Sequence, residues 1–205
     1  MKNLSNALLS AVALFILMAV LLQGGGKEAP SEIASPEQED DFQLRETKAS
    51  IVRAVDGDTV IVRFSEGDLK GKEERIRLLL IDTPESVHPS KEPEWLGKES
   101  SDYAKQYLKE GRKVTVEIGN PERDNYDRLL AYIWVDGVNF NQHMIEKGYA
   151  RVAYVYPPNT KYLEEFEKAE EKAKKKKVGI WGVSGYVTEK GFDMSVIQPK
   201  GEIAK

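Results

Sequence analysis

The chain has 205 residues, room for one domain of ordinary size plus extensions and for a core that folds without staples. It has no cysteine, which excludes disulfides, thiolate chemistry and cysteine-ligated zinc; any metal must be held by oxygen or by the two histidines. The net charge of -4 is uneven: residues 27–41 carry one lysine against six carboxylates, while residues 42–205 hold 28 basic and 28 acidic side chains, so a nucleic-acid ligand would need a local basic patch rather than a global field.

Residues 1–26 open with Lys2, run apolar from Ala7 to Leu22 except at Ser10, and end in three glycines. This is the pattern of an export signal or an amino-terminal membrane anchor, with the amino end inside and the remainder outside the membrane. Residues 27–46 are rich in Glu, Pro and Ser and too poor in apolar side chains to order themselves, as expected of a flexible acidic linker. A domain is expected over residues 47–182, followed by a loosely attached tail over 183–205 whose apolar positions have no period.

Within the domain, Ile51 to Val55 and Thr59 to Phe64 read as strands joined by the tight turn of Asp56-Gly57. A polar loop, Ser65 to Glu74, leads to a third strand, Arg75 to Ile81. Leu96, Tyr103, Ala104, Tyr107 and Leu108 fall at helical spacing before Gly111. Lys113 to Ile118 alternates as a strand, residues 121–127 form a polar loop, and Leu129 to Val135 is a fifth strand closed by Asp136-Gly137. Short and long helices follow over residues 139–147 and 160–177. Five strands with three helices suit an α+β fold built on a small Greek-key β-barrel. Tyr132, Trp134 and Trp181 read as core.

The chemistry concentrates in RIRLLLIDTPES, Arg75 to Ser86. Asp82 ends an aliphatic strand, and Pro84 holds Thr83 extended and turns the chain out of the sheet. Asp58, at the mouth of the first hairpin, could meet Asp82 as a second hard oxygen ligand for Ca²⁺ or Mg²⁺. Arg77 lies inside an aliphatic strand, where a guanidinium needs a partner; Glu73 or Glu117 could supply a purely structural one. Arg77 and Asp82 are five residues apart, which puts them on opposite faces of a regular strand unless a bulge or strong coiling intervenes. Arg128 follows Tyr126 at the start of the fifth strand. Lys174 to Lys177 end a helix, where lysines suit the dipole, and His88 and His143 are read as neither metal ligand.

RLLLIDTPE, the DGDTV turn, YDRLLAYI and ARVAYVY occur in one order over residues 47–181, and in this the chain resembles the staphylococcal nuclease (thermonuclease) family. The resemblance implies an OB-type barrel and a Ca²⁺-dependent nuclease that acts on DNA and RNA and leaves 3′-phosphates. It implies Asp58, Asp82 and the carbonyl of Thr83 as metal ligands with Asp56 close behind, and Glu85 as the group that holds or activates a water. Arg77 and Arg128 become the phosphate partners, while Tyr126, Tyr154, Tyr156 and Lys91 contact substrate. Val87, Ser90 and Asn125 stand where the staphylococcal enzyme has lysines, and Asp127 replaces a glycine. A monomer, exported or tethered by its amino-terminal segment, follows. The alternative is a non-catalytic barrel that binds single-stranded nucleic acid.

Overall fold

A computed structural model describes residues 44–87, 90 and 92–197. The expected export or anchor segment, the linker up to residue 43, His88 and Lys91 lie outside the described residues. Among the described residues no helix is long and apolar enough to cross a membrane.

β1 (Arg45–Ala54) organises the barrel, because its length lets it pair on both edges in succession. Residues 45–50 pair antiparallel with β5 (Lys113–Arg123), and residues 49–54 pair with β2 (Thr59–Phe64). The register shifts between Ile51 and Arg53, a bulge that bends the strand from one partner toward the other. β2 pairs with β3 (Glu73–Leu78), and β5 pairs with β6 (Leu129–Val135). The sheet closes where β3 meets β6 in parallel, Ile76 opposite Leu129 and Leu78 opposite Ala131. The expected five-stranded barrel is therefore present, closed on itself so that neither edge of the main sheet is left open at that seam.

Alternation fills the interior. Val60, Val62, Ile76, Leu78, Val116, Ile118, Leu129 and Ile133 are buried, as the period of two requires for one face of each strand. A two-residue strand β4 (Ile81–Asp82) leaves the barrel after Leu79 and Leu80, and further along the chain lie α1 (Gly97–Tyr107), β7 (Val138–Asn139) and α2 (Phe140–Glu146). β8 (Arg151–Val152) pairs with β4, and α3 (Leu163–Lys176) buries Phe166, Ala169 and Ala173. The buried amide of Asn141 ties α2 to the barrel: its oxygen accepts from Ile133 N at 3.1 Å, and its nitrogen donates to Leu79 O at 3.0 Å.

Several expectations are corrected. β5 continues to Arg123, through residues expected as loop, with Arg123 opposite Leu129. Trp134 and Trp181 are only half-buried, and of the three aromatics expected in the core Tyr132 alone is fully enclosed. The Trp134 indole donates to Glu117 at 3.0 Å, and Lys174 lies over the Trp181 ring.

β1 begins two residues before the boundary expected from composition, with Leu44 already buried. Beyond residue 182 the chain forms a hairpin of β9 (Val187–Thr188) and β10 (Gly191–Phe192), and Tyr186 is fully buried. The described part of the expected tail is thus packed against the domain.

Candidate active site

The β1–β2 turn, the end of β3 and the short strand β4 converge at one end of the barrel. Regular alternation would have separated Arg77 from Asp82, and the chain solves this by breaking between them. β3 stops at Leu78, Leu80 adopts φ 62, and β4 restarts in a new direction. Arg77 bridges the break: its Nη1 donates to Leu78 O at 2.6 Å and Ile81 O at 2.9 Å, satisfying carbonyls that the sheet no longer pairs. Its Nη2 lies 3.2 Å from Asp58 Oδ2 and 3.9 Å from Asp82 Oδ1. The structural partners considered from the sequence, Glu73 and Glu117, are not the ones used. Glu73 pairs with Arg63, and Glu117 with Lys161 and Tyr162.

Asp58 is nearly enclosed and highly engaged. Its Oδ1 accepts from the Thr59 hydroxyl at 3.1 Å, and its Oδ2 accepts from the Thr83 hydroxyl at 3.3 Å and the Thr83 N–H at 3.4 Å. Asp56 accepts from Asp58 N at 3.1 Å, closing the turn. Burial, reinforced by the charge of Asp58, pushes the Asp56 carboxyl up to about 6. Asp82 is raised as well, by burial first, although Arg151 and Arg77 oppose the shift. In both, burial disfavours the charged form more than the neighbouring hydrogen bonds and cations favour it.

These groups line a polar cavity of about 410 Å³, which also holds Glu85, Arg128 and Tyr154. Arg128 is fixed through Nε, which donates to Asp124 Oδ2 at 2.7 Å, so the rest of its guanidinium is left to turn toward a ligand. Burial acts to raise Asp124, but the hydrogen bonds from Arg128 outweigh it and hold that carboxyl below its ordinary range. Glu85 Oε1 accepts from Val87 N at 2.8 Å, and Glu85 N donates to Glu94 at 2.8 Å, which curls the loop back and leaves Oε2 for another donor. Asp127 adopts φ 62, the left-handed conformation a glycine takes more readily.

A second, more apolar cavity of about 540 Å³ shares Arg77, Arg128 and Tyr154 with the first and adds Tyr126, Tyr156 and Leu130. Tyr126, Tyr154 and Tyr156 are 82%, 54% and 68% exposed, so they are not core residues and their faces are available for stacking. Arg77 lies 5.1 Å above the Tyr154 ring and Arg128 lies 5.5 Å above that of Tyr126. A larger cavity of about 710 Å³, beside Lys48, Lys113 and Trp134, contains none of these residues. All the expected site residues among those described border one or both of the shared cavities.

Arg151 belongs to the site and was not anticipated. It stands opposite Asp82 in the β4–β8 pair and places Nε and Nη2 each 2.9 Å from Asp82 Oδ2. It sits inside ARVAYVY, whose strand-like pattern was the available signal. Among the described residues no three carboxylate or imidazole side chains form a metal cluster by themselves. The donor set still suits a hard cation: Asp58 and Asp82 face one cavity with Thr83 between them and Asp56 behind, and only oxygen is offered. Such a site would be open, with room for solvent or a ligand oxygen to complete the shell.

Residues 75–183 match the family described as Staphylococcal nuclease homologue. The SPβ prophage-derived endonuclease YokF of Bacillus subtilis (strain 168) is 42% identical over 154 residues, 75% of this chain and 50% of that protein, so the chain spans half the length of that relative. Endonuclease YncB of the same organism is 41% identical over 152 residues, 74% of this chain and 69% of YncB. Thermonuclease of Staphylococcus hyicus is 34% identical over 181 residues, 88% of this chain and 99% of the thermonuclease. With a closed barrel of the expected form and these matches, the chain belongs to the staphylococcal nuclease family.

Proposed function

We propose that this chain is an exported, Ca²⁺-dependent nuclease that hydrolyses phosphodiester bonds of DNA and RNA. One observation carries the reading: two arginines, Asp58, Asp82 and Glu85 from separate segments border a single cavity, beside exposed tyrosines. Structural ion pairs have no need of so open a setting, whereas phosphoryl transfer needs cations, a water-activating carboxylate and access together.

Asp58, Asp82 and the Thr83 carbonyl would hold the Ca²⁺, which when bound supplies positive charge against a phosphate oxygen. Arg77 and Arg128 present N–H groups toward the equatorial oxygens, whose charge grows as phosphorus becomes five-coordinate. Glu85 holds a water and takes its proton as the water oxygen bonds to phosphorus. The bond to the 5′ oxygen breaks in line, that oxygen takes up a proton from solvent water, and the phosphate remains on the 3′ side. Tyr126, Tyr154 and Tyr156 stack bases and bind phosphate, which favours single strands and tolerates any sequence. Lys91, which follows Glu85 in the sequence, adds a cation. The chain acts as a monomer outside the membrane, released or tethered by its amino-terminal segment.

Incubating the purified chain with denatured DNA and with RNA, in Ca²⁺ and in chelator, tests the activity. Chelator-sensitive cutting of both is expected. Tight binding without cutting would favour a barrel that only holds single strands. Recovery of the chain from the cytoplasm on cell fractionation would contradict export.

A further inference from the structure

The cavity that holds Asp58, Arg77 and Glu85 is walled on one side by the C-terminal hairpin. Lys190, Gly191 and Phe192 line it. The match to Staphylococcal nuclease homologue ends at residue 183, short of the hairpin, so this wall is an addition to the matched domain.

The hairpin is anchored at two places. Tyr186 packs edge-on against Trp95 with ring centroids 5.0 Å apart, and its hydroxyl donates to Trp95 O at 2.5 Å. Trp95 N in turn donates to Met194 Sδ at 3.2 Å, so Trp95, just before α1, is held by residues on both sides of the hairpin. The second anchor is Arg151, which holds Asp82 and lies over the Phe192 ring at 5.7 Å. Inside the hairpin, Thr188 Oγ1 donates to Gly191 O at 3.1 Å and accepts from Lys190 N at 3.2 Å, which fixes the turn. The backbone of Lys190 is therefore set relative to both Asp82 and the Glu85 loop, and its side chain is exposed.

The cations bordering the cavity are differently engaged. Arg77 is committed to Asp58 and to two carbonyls, and Arg128 to Asp124. Lys190 has no ion-pair partner among the described residues. Glu85 and Glu94 face the same space, so a polyanion entering it meets repulsion that an uncommitted ammonium on a four-carbon stem can offset. A lysine also suits a phosphate held at no fixed angle, because it acts as a point charge rather than a bidentate fork.

We propose that the C-terminal hairpin is a working wall of the active site and that Lys190 binds a backbone phosphate of the substrate strand beside the one being cut. The proposal rests on the nuclease reading above. It makes Lys190 a substrate-binding residue supplied from outside the matched domain, and it gives the hairpin's two anchors a role in strand placement.

The test uses the full chain and its Lys190→Ala and Lys190→Arg variants. Affinity for a labelled single-stranded oligothymidylate is measured in chelator across a range of salt, and cleavage kinetics are measured in Ca²⁺. For Lys190→Ala, Kd and KM should rise about 5-fold to 10-fold, and the slope of log K against log salt should fall by about 0.7, the release expected for one phosphate contact on a single strand. Lys190→Arg should restore both. Unchanged affinity and salt slope in Lys190→Ala would overturn the proposal. If the unaltered chain does not cut DNA, the nuclease reading fails by itself, while Lys190 stands or falls on the oligothymidylate affinities.

Discussion

A methyl group added at Gly97 would fall 2.3 Å from the carbonyl oxygen of Glu85 and 2.8 Å from its carbonyl carbon. The two residues meet because Glu94 N donates to Glu85 O at 2.8 Å and Gly97 N donates to Glu94 O at 2.9 Å, folding the loop onto the start of α1. Gly97→Ala must therefore move the Glu85 backbone, and a shift of about 1 Å at a reacting group lowers turnover about 10²-fold. The expected outcome is that loss in kcat on single-stranded DNA from a chain that still melts cooperatively. A kcat within about threefold of the unaltered chain would show that Glu85 is not positioned by this contact.

Arg128 and Arg77 should differ in what their removal does to stability. Each of Arg77→Ala, Arg128→Ala and Glu85→Ala is expected to lower kcat about 10²-fold or more, because each removes a group that acts on the developing charge or on the water. Arg77→Ala should also lower the melting temperature in chelator, since it leaves Asp58 without its guanidinium and frees the carbonyls of Leu78 and Ile81. Arg128 sits at the barrel's rim with Asp124 and should melt close to normal. Losses under about tenfold in all three variants would contradict the site assignment.

The barrel was legible in the sequence because each strand alternates and each turn carries Gly, Pro or Asp. The site was legible only in part. A break between Arg77 and Asp82 could be demanded from their spacing, but not located, because Leu79 and Leu80 look like the strand residues around them. Arg151 escaped notice since its partner Asp82 lies 69 residues away and nothing beside it in the chain marks it as paired. Tyr186 lies in a segment without period, and its burial depends on Trp95, 91 residues upstream. Residues 119–121, Gly-Asn-Pro, look like loop, yet Asn120 N donates to Asn159 Oδ1 at 2.7 Å and the strand carries on. For Arg151, Tyr186 and Asn120 the deciding contact is long-range, and local pattern does not name the partner.

Glu117 offers a stability prediction away from the site. Its side chain is wholly buried, and it accepts from Tyr162 at 2.8 Å, from the Trp134 indole at 3.0 Å and from Lys161. The hydrogen bond to Glu117 also holds the Lys161 ammonium above its ordinary range. Removing one donor from a buried carboxylate costs about 1.5–3 kcal/mol, so Tyr162→Phe should lower unfolding free energy in urea by that amount. A loss under about 0.5 kcal/mol would mean that the remaining donors or solvent fully replace it.

His143 should give stability a pH dependence. Its Nε2 lies 2.7 Å from the Tyr103 hydroxyl, and burial lowers its pKa below the ordinary 6.5, with Lys147 adding to the shift and Glu146 opposing it. As pH falls through 6.5 the unfolded chain takes up this proton before the folded chain does, so stability present above that pH is lost toward the folded pKa. His143→Gln should remove that share of the loss. Urea unfolding at about pH 7.5 and about pH 5.5 would show the unaltered chain losing more stability than the variant; equal losses would contradict the assignment.

The most direct measurement is the chemistry of the ends left on a labelled single-stranded oligonucleotide cut in Ca²⁺, with a chelator control. Products carrying a 3′-phosphate and a 5′-hydroxyl, absent in chelator, are the result expected if Glu85 directs water in line against the 5′ oxygen beside Arg77 and Arg128. Products with a 5′-phosphate and a 3′-hydroxyl, or cutting that the chelator leaves unchanged, would contradict it.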